Sequence, residues 1–408
     1  MLNRSWRYHA IWVSLLILLL AGPTRTAAAQ AANAAWVGTW AVAPVRDGRS
    51  TSFTHQTLRQ IVHTSAAGDR ARIHISNVFG TELLRVEDVH IALRSSGSSI
   101  EPGTDRQVHF GGQDSVTIAP GAAAVSDPIK FRVPALSDVA ISFYLPGTEG
   151  PATYHDYGNQ TNYIAPGDLS GQANPPESTT TTRSYYFLTN LDLQGQSLRG
   201  SVVTLGASVT DGYKSTLDAN HRWPNLLAER LVHAGLGIGV LNEGISGNRL
   251  LHAGAGESAE NRFDRDVLMQ PGVRWVIFSD DPINDLGSTK PPPTAEELIA
   301  AIERLIGRVH QHPIRFFCST LTPYQGAAYW TPAGEAARER INAFLRSRKS
   351  GCDAIVDQDT ALHDPAHPSR YLPAYDSGDH LHPNDAGYRV LANAVDLALF
   401  TEFDSSSK

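Results

Sequence analysis

Short apolar runs separated by segments of helical spacing make up the chain after Gly200, and this pattern restricts the fold more than any other feature. Parallel strands need a long crossover connection, usually a helix, so such an alternation predicts a parallel sheet. We expect a three-layer α/β/α domain with a five-stranded parallel sheet over residues 200–403. The five strands are predicted at residues 202–205, 238–241, 275–278, 314–318 and 354–356.

The segments between these runs have the spacing of amphipathic helices. Thr294 and Glu297 stand three residues apart just before the apolar positions Leu298 and Ile302, as in a capping box. Such segments suit the crossover connections of a parallel sheet. Helices are predicted near residues 223–233, 258–268, 294–310, 333–348 and 385–400.

Residues 36–195 show a different pattern, in which apolar and polar residues alternate. Alternation with period two is typical of strands that bury one face, and Pro and Gly punctuate the runs. We predict an antiparallel β-sandwich or jelly-roll-like accessory domain here, ending between Gly195 and Gly200. The polar segment 168–183 is predicted to be a long loop or a hairpin excursion. The clearest alternating runs are residues 89–93, 129–133 and 139–145.

Residues 1–29 have the composition of a signal peptide. Arg4 and Arg7 form a basic start, an apolar run follows at 10–22, and residues 27–29 are alanines suited to cleavage. The run is shorter than the roughly 20 residues that span a bilayer, although an uncleaved N-terminal anchor is the alternative. We therefore expect a secreted or periplasmic protein without membrane attachment after cleavage.

Charge and motifs exclude several classes of partner. The chain carries 34 Lys and Arg against 41 Asp and Glu, a net charge of −7, which opposes binding to nucleic acid. It has no His-Glu-x-x-His motif, no paired cysteine spacing, no phosphate-binding loop and no dinucleotide fingerprint after a strand. We therefore expect no metal and no cofactor, and the sequence does not determine the oligomeric state.

Cys318 and Cys352 are the only cysteines of the chain. Export would permit a disulfide between them. However, Cys318 closes one predicted strand and Cys352 precedes the next, which places them near opposite ends of neighbouring parallel strands. This placement disfavours a bond, and the sequence leaves open whether the two cysteines pair.

Polar segments follow the predicted strands at the edge where open α/β sheets form their sites, the carboxyl ends of the strands. Each segment contains a residue type that acyl transfer requires. Three of them follow strands, and the fourth precedes the last helix. The four segments are residues 206–212, 242–248, 282–285 and 379–383.

Ser208 is the candidate nucleophile, because a serine hydroxyl becomes reactive when an oriented imidazole takes its proton. Asp379 and His382 are three residues apart, so on a tight turn the carboxylate can orient the ring toward Ser208. The oxyanion of the tetrahedral intermediate needs preorganised donors. The candidates are the backbone N–H groups of Ser208 and Gly244 and the side-chain amide of Asn284.

Each of these residues also has an ordinary structural interpretation. Ser208 alone would serve as a helix N-cap, Asn284 as an Asx-turn residue and Gly244 as a turn glycine. His380 is the other candidate for the catalytic base. It stands two residues before His382, and on an extended turn its ring should face away from the site.

The four segments, in this order and spacing, resemble the sequence blocks of the SGNH or GDSL-like hydrolases over residues 200–400. The last block, residues 379–388, is the most specific. The resemblance implies an esterase on a three-layer fold, and residues 36–195 resemble the accessory β domain of a secreted branch. It assigns the four name-giving roles and the triad acid to Ser208, Gly244, Asn284, His382 and Asp379.

Two departures from the family pattern lie beside these residues. Ala207 stands where the family has the Asp of Gly-Asp-Ser, and Pro282 stands where it has the Gly of Gly-x-Asn-Asp. Loss of the carboxylate should loosen the nucleophile turn and slow an enzyme without abolishing its activity. We hypothesise that Asp280 or Asp281 replaces the missing carboxylate.

Together these features predict a secreted serine esterase that acts through an acyl-enzyme on a short-chain ester, with a carbohydrate ester as one substrate class. One alternative is a degenerate, non-catalytic carbohydrate-binding protein on the same fold, and another is an acyltransferase. A cluster of tyrosines and polar residues at 154–163 either packs against the core of the β domain or lines a cleft for sugars.

Overall fold

Antiparallel strands occupy the first half of the chain in the computed structural model, which describes residues 35–175 and 179–401. The predicted signal peptide, residues 1–29, lies outside the described residues. The strands are β1 (Val37–Ala41), β2 (Val45–Arg46), β3 (Phe53–His63), β4 (Gly68–Ser76), β5 (Leu84–Ser96), β6 (Ser99–Ile100), β7 (Arg106–Val108), β8 (Ser115–Ile118), β9 (Ala123–Val125), β10 (Ile129–Val133), β11 (Asp138–Glu149), β12 (Thr153–His155), β13 (Asn162–Pro166), β14 (Thr180–Thr182), β15 (Tyr185–Tyr186) and β16 (Leu188–Gln194).

These strands form two larger sheets around one hydrophobic core. One sheet has the order β1-β16-β4-β10, with β9 on β4, and the other has the order β14-β13-β3-β11-β5-β6, with β7 and β8 on β5. Ile73 of the first sheet and Ile141 and Phe143 of the second are buried in the same core. The prediction of an antiparallel sandwich is therefore confirmed. A smaller sheet, β15-β12-β2, completes the region.

The polar segment 168–183 lies in a hairpin excursion. β13 pairs with β14 in antiparallel register, with Asn162 opposite Thr182 and Ile164 opposite Thr180. The intervening chain includes residues 176–178, which are not described.

The second half of the chain contains a parallel sheet whose strand order is β18-β17-β19-β20-β21. This confirms the predicted five-stranded parallel sheet. The first strand, β17, lies between the second and third, so the chain passes from β17 to β18 on one side and then crosses back to β19 on the other. In doubly wound sheets, ligands bind at the carboxyl ends of the strands at this switch point. The strands are β17 (Gly200–Gly206), β18 (Ile238–Gly244), β19 (Val273–Phe278), β20 (Arg315–Ser319) and β21 (Ala354–Val356).

Helices cover both faces of the parallel sheet. Val203 packs into a core with the helices of one face, whereas its neighbour Val202 packs into a separate core on the other face. Thr294 and Glu297 form the predicted capping box. The helices are α1 (Ser208–Asp211), α2 (Trp223–His233), α3 (Ala259–Phe263), α4 (Asp281–Ser288), α5 (Ala295–Val309), α6 (Pro332–Leu345), α7 (Gln358–Leu362) and α8 (Asp385–Asn393).

Several short elements complete the described fold. A π-helical turn at Asp264–Leu268 follows α3, and 3-10 turns occupy Pro102–Thr104 and Leu397–Phe400. A small hairpin is formed by β22 (His363–Asp364) and β23 (His367–Tyr371). Across residues 35–175 and 179–401, no helix combines the length and the apolar character needed to cross a membrane.

A disulfide joins Cys318 and Cys352, whose Cα atoms are 5.9 Å apart, although the predicted placement at opposite strand ends disfavoured this bond. The prediction assumed that neighbouring strands start at the same level. In the structure β21 is only three residues long, and its first residue, Ala354, lies beside Phe317 near the end of β20. The residues just before β21 therefore lie close to Cys318.

The antiparallel and parallel regions share hydrogen bonds. Gly38 N on β1 donates to Pro271 O at 3.0 Å, and Val240 N on β18 donates to Ser65 Oγ at 2.8 Å. A Cβ at Gly239 would lie 1.9 Å from the carbonyl oxygen of Gly38, so the two backbones approach as closely as glycine allows. The division into domains 36–195 and 200–403 remains a prediction.

Candidate active site

Ser208 lies where β17 ends and α1 begins, at the carboxyl edge of the parallel sheet. Its side chain does not cap a helix, because the N-cap is Ala207 and no side chain caps α1. The preceding turn requires Gly206, since a Cβ there would lie 2.2 Å from Thr210 Oγ1. Close packing around Gly206 leaves no room for a side chain at the turn. The turn places the Ser208 hydroxyl at the edge of the sheet.

Ser208, His382 and Asp379 form a continuous hydrogen-bonded relay. Ser208 Oγ lies 2.9 Å from His382 Nε2, and His382 Nδ1 lies 2.8 Å from Asp379 Oδ2. Asp379 Oδ1 also accepts the backbone N–H groups of Leu381 and His382 at 3.0 and 2.9 Å. These bonds hold the carboxylate in the turn, so the ring presents Nε2 to the serine.

The environment of Asp379 favours its ionised form. Burial raises the pKa of this carboxyl, but the hydrogen bonds from the ring and backbone of His382 outweigh that effect and lower the pKa below its ordinary value. An ionised carboxylate at this position stabilises positive charge on the imidazole.

His380 lies outside the relay, as the turn geometry predicts. Its Nδ1 is 2.5 Å from Asp376 Oδ2, and its side chain is 55% exposed. The ring packs against Gly326, where a Cβ would meet His380 Cδ2 at 2.9 Å.

Asp280 supplies a carboxylate to the nucleophile turn. Its Oδ1 accepts from Ala207 N at 3.1 Å and from Thr210 Oγ1 at 2.8 Å, and its Oδ2 accepts from Val209 N at 2.8 Å. The two amides on either side of Ser208 are thus held by one buried side chain from the end of β19. Of the two residues in our hypothesis, Asp280 is the one that makes these bonds.

Asp281 and Pro282 begin helix α4. Proline is tolerated in a first helical turn because the N–H it lacks has no partner within the helix. Asp281 is fully buried with Oδ1 3.9 Å from the guanidinium of Arg262, and neither carboxyl oxygen accepts a hydrogen bond from the described residues. Burial, although opposed by Arg262, raises the pKa of Asp281 to about 8.

The contribution of Asp281 to the stability of the protein should therefore fall as pH rises from about 4 to about 8, and Asp281→Asn should remove this contribution. The unfolded carboxyl ionises near its ordinary pKa of 3.8, whereas the folded one holds its proton up to about 8. The folded state binds more protons in between, so its advantage is present below pH 4 and is lost as pH rises through 8. Asparagine does not titrate. Thermal unfolding is measured for both proteins at pH 5 and 8.5. The Tm of Asp281→Asn relative to that of the wild type should be higher at pH 8.5 than at pH 5. A stability difference independent of pH would contradict this.

Ser208 N–H and the Asn284 amide are available as oxyanion donors. Ser208 N has no hydrogen-bond partner among the described residues, because Asp280 takes only the amides on either side. Asn284 Oδ1 accepts from Tyr329 Oη at 2.9 Å, and Asn284 Nδ2 donates to Asn248 O at 2.8 Å. These contacts orient the amide and leave one N–H of Nδ2 without a partner among the described residues.

Gly244 has a different environment from the one that the sequence suggested. Its N–H donates to Asn242 Oδ1 at 3.0 Å and is therefore not free to meet an oxyanion in this structure. Gly244 matters for packing, since a Cβ would lie 2.3 Å from Asp211 N. On the same loop, the exposed Gly247, with a φ of +81°, has a backbone N–H without a partner in the described part of the chain. The neighbouring Asn248 carbonyl contacts the Asn284 amide.

Sequence reasoning missed two aromatic residues of the site. Tyr329 orients Asn284, and the Tyr213 ring packs edge-on against the His382 ring with centroids 4.7 Å apart. Neither residue lies in a motif that sequence reasoning singled out. Within residues 35–175 and 179–401, no group of three or more His, Cys, Asp or Glu side chains is arranged to hold a metal ion.

Comparison with known proteins identifies the class of the C-terminal region. Residues 204–390 match the model of the GDSL-like lipase/acylhydrolase family. These residues therefore form a GDSL-like lipase/acylhydrolase domain, and ester hydrolysis is the general class of reaction that this supports. A comparison of the whole chain with curated proteins found no match.

Three solved structures illustrate the similarity. An alpha/beta hydrolase from the metagenome of Lake Arreo is 23% identical, with 48% of this chain and 94% of that chain covered and a TM-score of 0.37. A variant of an acetyl xylan esterase from Geobacillus stearothermophilus is 21% identical, with coverages of 48% and 93% and a TM-score of 0.37. A GDSL-like lipase from Bacteroides thetaiotaomicron is 16% identical, with coverages of 50% and 89% and a TM-score of 0.37.

Proposed function

We propose that this protein is a secreted serine esterase that hydrolyses a short-chain carboxylic ester through an acyl-enzyme. The observation that carries the proposal is the relay in which His382 lies within hydrogen-bond distance of both Ser208 Oγ and Asp379. Serine, imidazole and carboxylate in this order are the machinery of acyl transfer.

Acylation begins when Ser208 Oγ attacks the ester carbonyl while His382 Nε2 takes the hydroxyl proton. Asp379 stabilises the imidazolium that results. The carbonyl oxygen becomes an oxyanion, which Ser208 N–H and the free N–H of Asn284 stabilise. In place of Gly244, whose N–H is engaged, we assign the third donor to Gly247 N–H. The alcohol leaves with the proton from His382, and the acyl group stays on Ser208.

Deacylation repeats these steps with water. His382 removes a proton from the water as its oxygen attacks the acyl carbon, and the same donors hold the second oxyanion. Collapse of this intermediate breaks the bond to Ser208 Oγ, which recovers its proton from His382. The products are a carboxylic acid, an alcohol and the free enzyme.

A short acyl group suits the surface around the site. Among the described residues, the exposed large apolar side chains are those of Leu83, Val125 and Met269, and none belongs to the four site segments. A long acyl chain would need an apolar surface there. We propose a small-molecule or carbohydrate ester as substrate, with an acetylated sugar as the first alcohol class to test.

Secretion rests on residues 1–29 and on the disulfide. Disulfides persist in oxidising compartments and are rare in the cytosol, so the Cys318–Cys352 bond agrees with export. The N-terminal sequence of the mature protein should begin close to residue 30 if the signal peptide is cleaved.

Labelling with a fluorophosphonate tests the proposed mechanism. The reagent should modify purified protein at Ser208, as located by mass spectrometry of its peptides, because only an activated serine attacks phosphorus rapidly. Ser208→Ala should take no label. Absence of label in folded wild-type protein, together with no hydrolysis of p-nitrophenyl acetate, would favour the non-catalytic binding protein instead.

A panel of acetyl, butyryl, octanoyl and feruloyl esters then tests the substrate class. We expect kcat/KM to fall steeply from butyryl to octanoyl. Preference for the octanoyl ester would contradict the short-chain assignment while leaving the serine mechanism intact. Ester exchange that exceeds hydrolysis in mixed alcohol and water would favour an acyltransferase.

A further inference from the structure

A buried histidine of the antiparallel region contacts the helix that carries Ser208. His155, on β12, has Nε2 3.0 Å from Asp211 Oδ1 and Nδ1 2.9 Å from Ala43 O, and the side chains of His155 and Asp211 are 3% and 2% exposed. Burial lowers the pKa of His155, but the carboxylate of Asp211 more than offsets this, so the pKa is raised above its ordinary value. The contact is thus a charge-assisted hydrogen bond in the interior.

Asp211 links this histidine to two segments of the site. It is the last residue of α1, three positions after Ser208, and its Oδ2 accepts from Ser246 N at 2.9 Å and from Ser246 Oγ at 2.6 Å. Ser246 precedes Gly247 on the loop that follows β18. One carboxylate therefore joins the nucleophile helix, the proposed oxyanion loop and the antiparallel region.

A second contact reaches the general base. Tyr157 packs on Tyr213 with ring centroids 5.2 Å apart, and Tyr213 packs on His382 with centroids 4.7 Å apart. The three rings form a row from the antiparallel region to the relay.

Further contacts extend along the chain beyond Tyr213. Asn159 Nδ2 donates to Ser215 Oγ at 2.7 Å. Asp218 accepts from Thr161 N and from Thr161 Oγ1, each at 2.6 Å, and from Gln160 Nε2 at 3.0 Å. Residues 155–161 thus hold the whole segment 211–218, which follows the nucleophile and supports the base.

We propose that the antiparallel region contributes residues to the catalytic site, and that His155 is a positioning residue that aligns Ser208 and the oxyanion loop through Asp211. This inference rests on the proposed esterase function, which it deepens. It assigns residues 155–161 to the site. Most of the cluster of tyrosines and polar residues at 154–163 thereby has a function in positioning the catalytic groups. Tyr154, in contrast, stacks on Tyr186 within the antiparallel region.

The experiment compares two histidine–aspartate pairs of the antiparallel region in the full chain. His155→Leu removes the donor to Asp211. His74→Leu is the matched control, because His74 Nε2 binds Asp192 Oδ2 at 2.7 Å and makes no contact with segment 211–218. His155→Gln keeps a donor. For each protein, kcat and KM for p-nitrophenyl acetate are measured together with Tm.

We expect His155→Leu to lower kcat about 30-fold or more with KM within about threefold of wild type, because reactive geometry is lost and not substrate binding. His74→Leu should keep kcat within about threefold even where its Tm falls, and His155→Gln should recover most of the loss. Asp218→Ala should lower kcat severalfold and lower Tm only modestly: the position is exposed, but three hydrogen bonds are lost and the backbone there has a φ of +61°.

Equal kcat losses in His155→Leu and His74→Leu at similar Tm would overturn the inference, as would wild-type kcat in His155→Leu. Should His155→Leu not fold, wild-type kcat in Asp218→Ala would overturn it. An inactive and unlabelled wild type rejects the proposed function itself, whereas an active wild type with unaffected variants rejects only this inference.

Discussion

Replacement of His382 by alanine is expected to lower kcat for p-nitrophenyl acetate by about 10³-fold or more, with little change in KM. The variant leaves Ser208 Oγ without a group to take its proton, because His382 Nε2 is the base within 2.9 Å of it. Neutral serine is a weak nucleophile, so both acylation and deacylation should slow.

His380→Ala is the matched control for this prediction. The two histidines are two residues apart on the same turn, but His380 binds Asp376 and is largely exposed. Its removal should leave kcat within a few-fold of wild type. A loss in His380→Ala that equals the loss in His382→Ala would show that the turn, and not the imidazole, sets the rate. The relay mechanism would then be rejected.

Replacement of Asp280 by alanine is expected to lower kcat about 100-fold, since a misplaced nucleophile costs roughly this much. Three donors lose their common acceptor, namely Ala207 N, Val209 N and Thr210 Oγ1. Buried amides without partners favour any backbone shift that lets them find new ones, and such a shift would move Ser208. Thr210→Val removes only one donor and should cost far less.

A double variant tests whether Asp280 takes the place of the family's Asp at position 207. Ala207→Asp in the Asp280→Ala background should recover much of the lost kcat. The nucleophile turn would again have a carboxylate, now supplied by residue 207. Ala207→Asp alone should give no gain, since it would place a second carboxylate beside Asp280. A large gain from the single variant would show that Asp280 does not serve the turn.

The strands and helices of the second half were predictable because they obey local rules. The predicted strand at 354–356 coincides with β21, the predicted helix at 223–233 coincides with α2, and the capping box at Thr294 begins α5. Period and capping depend on residues within one or two turns of the chain, which sequence displays directly.

The sequence did not show which partner a given group meets in three dimensions. Gly244 matches the motif, but the side chain of Asn242 occupies its N–H, and no spacing shows that competition. The Cys318–Cys352 bond depends on the register between two strands, which is decided by the packing of the sheet. The contact of His155 with Asp211 joins residues 56 positions apart.

The amino-acid sequence by itself determined which hydroxyl, imidazole and carboxylate are available for acyl transfer, because their types and spacing on short turns are local properties. Only the tertiary structure decided that Asp280 serves the turn that Ala207 leaves without a carboxylate, and that His155 from the antiparallel region reaches the nucleophile helix. The physical reason is that a hydrogen bond requires contact within about 3 Å, and contact between distant segments follows from how sheets pack and align.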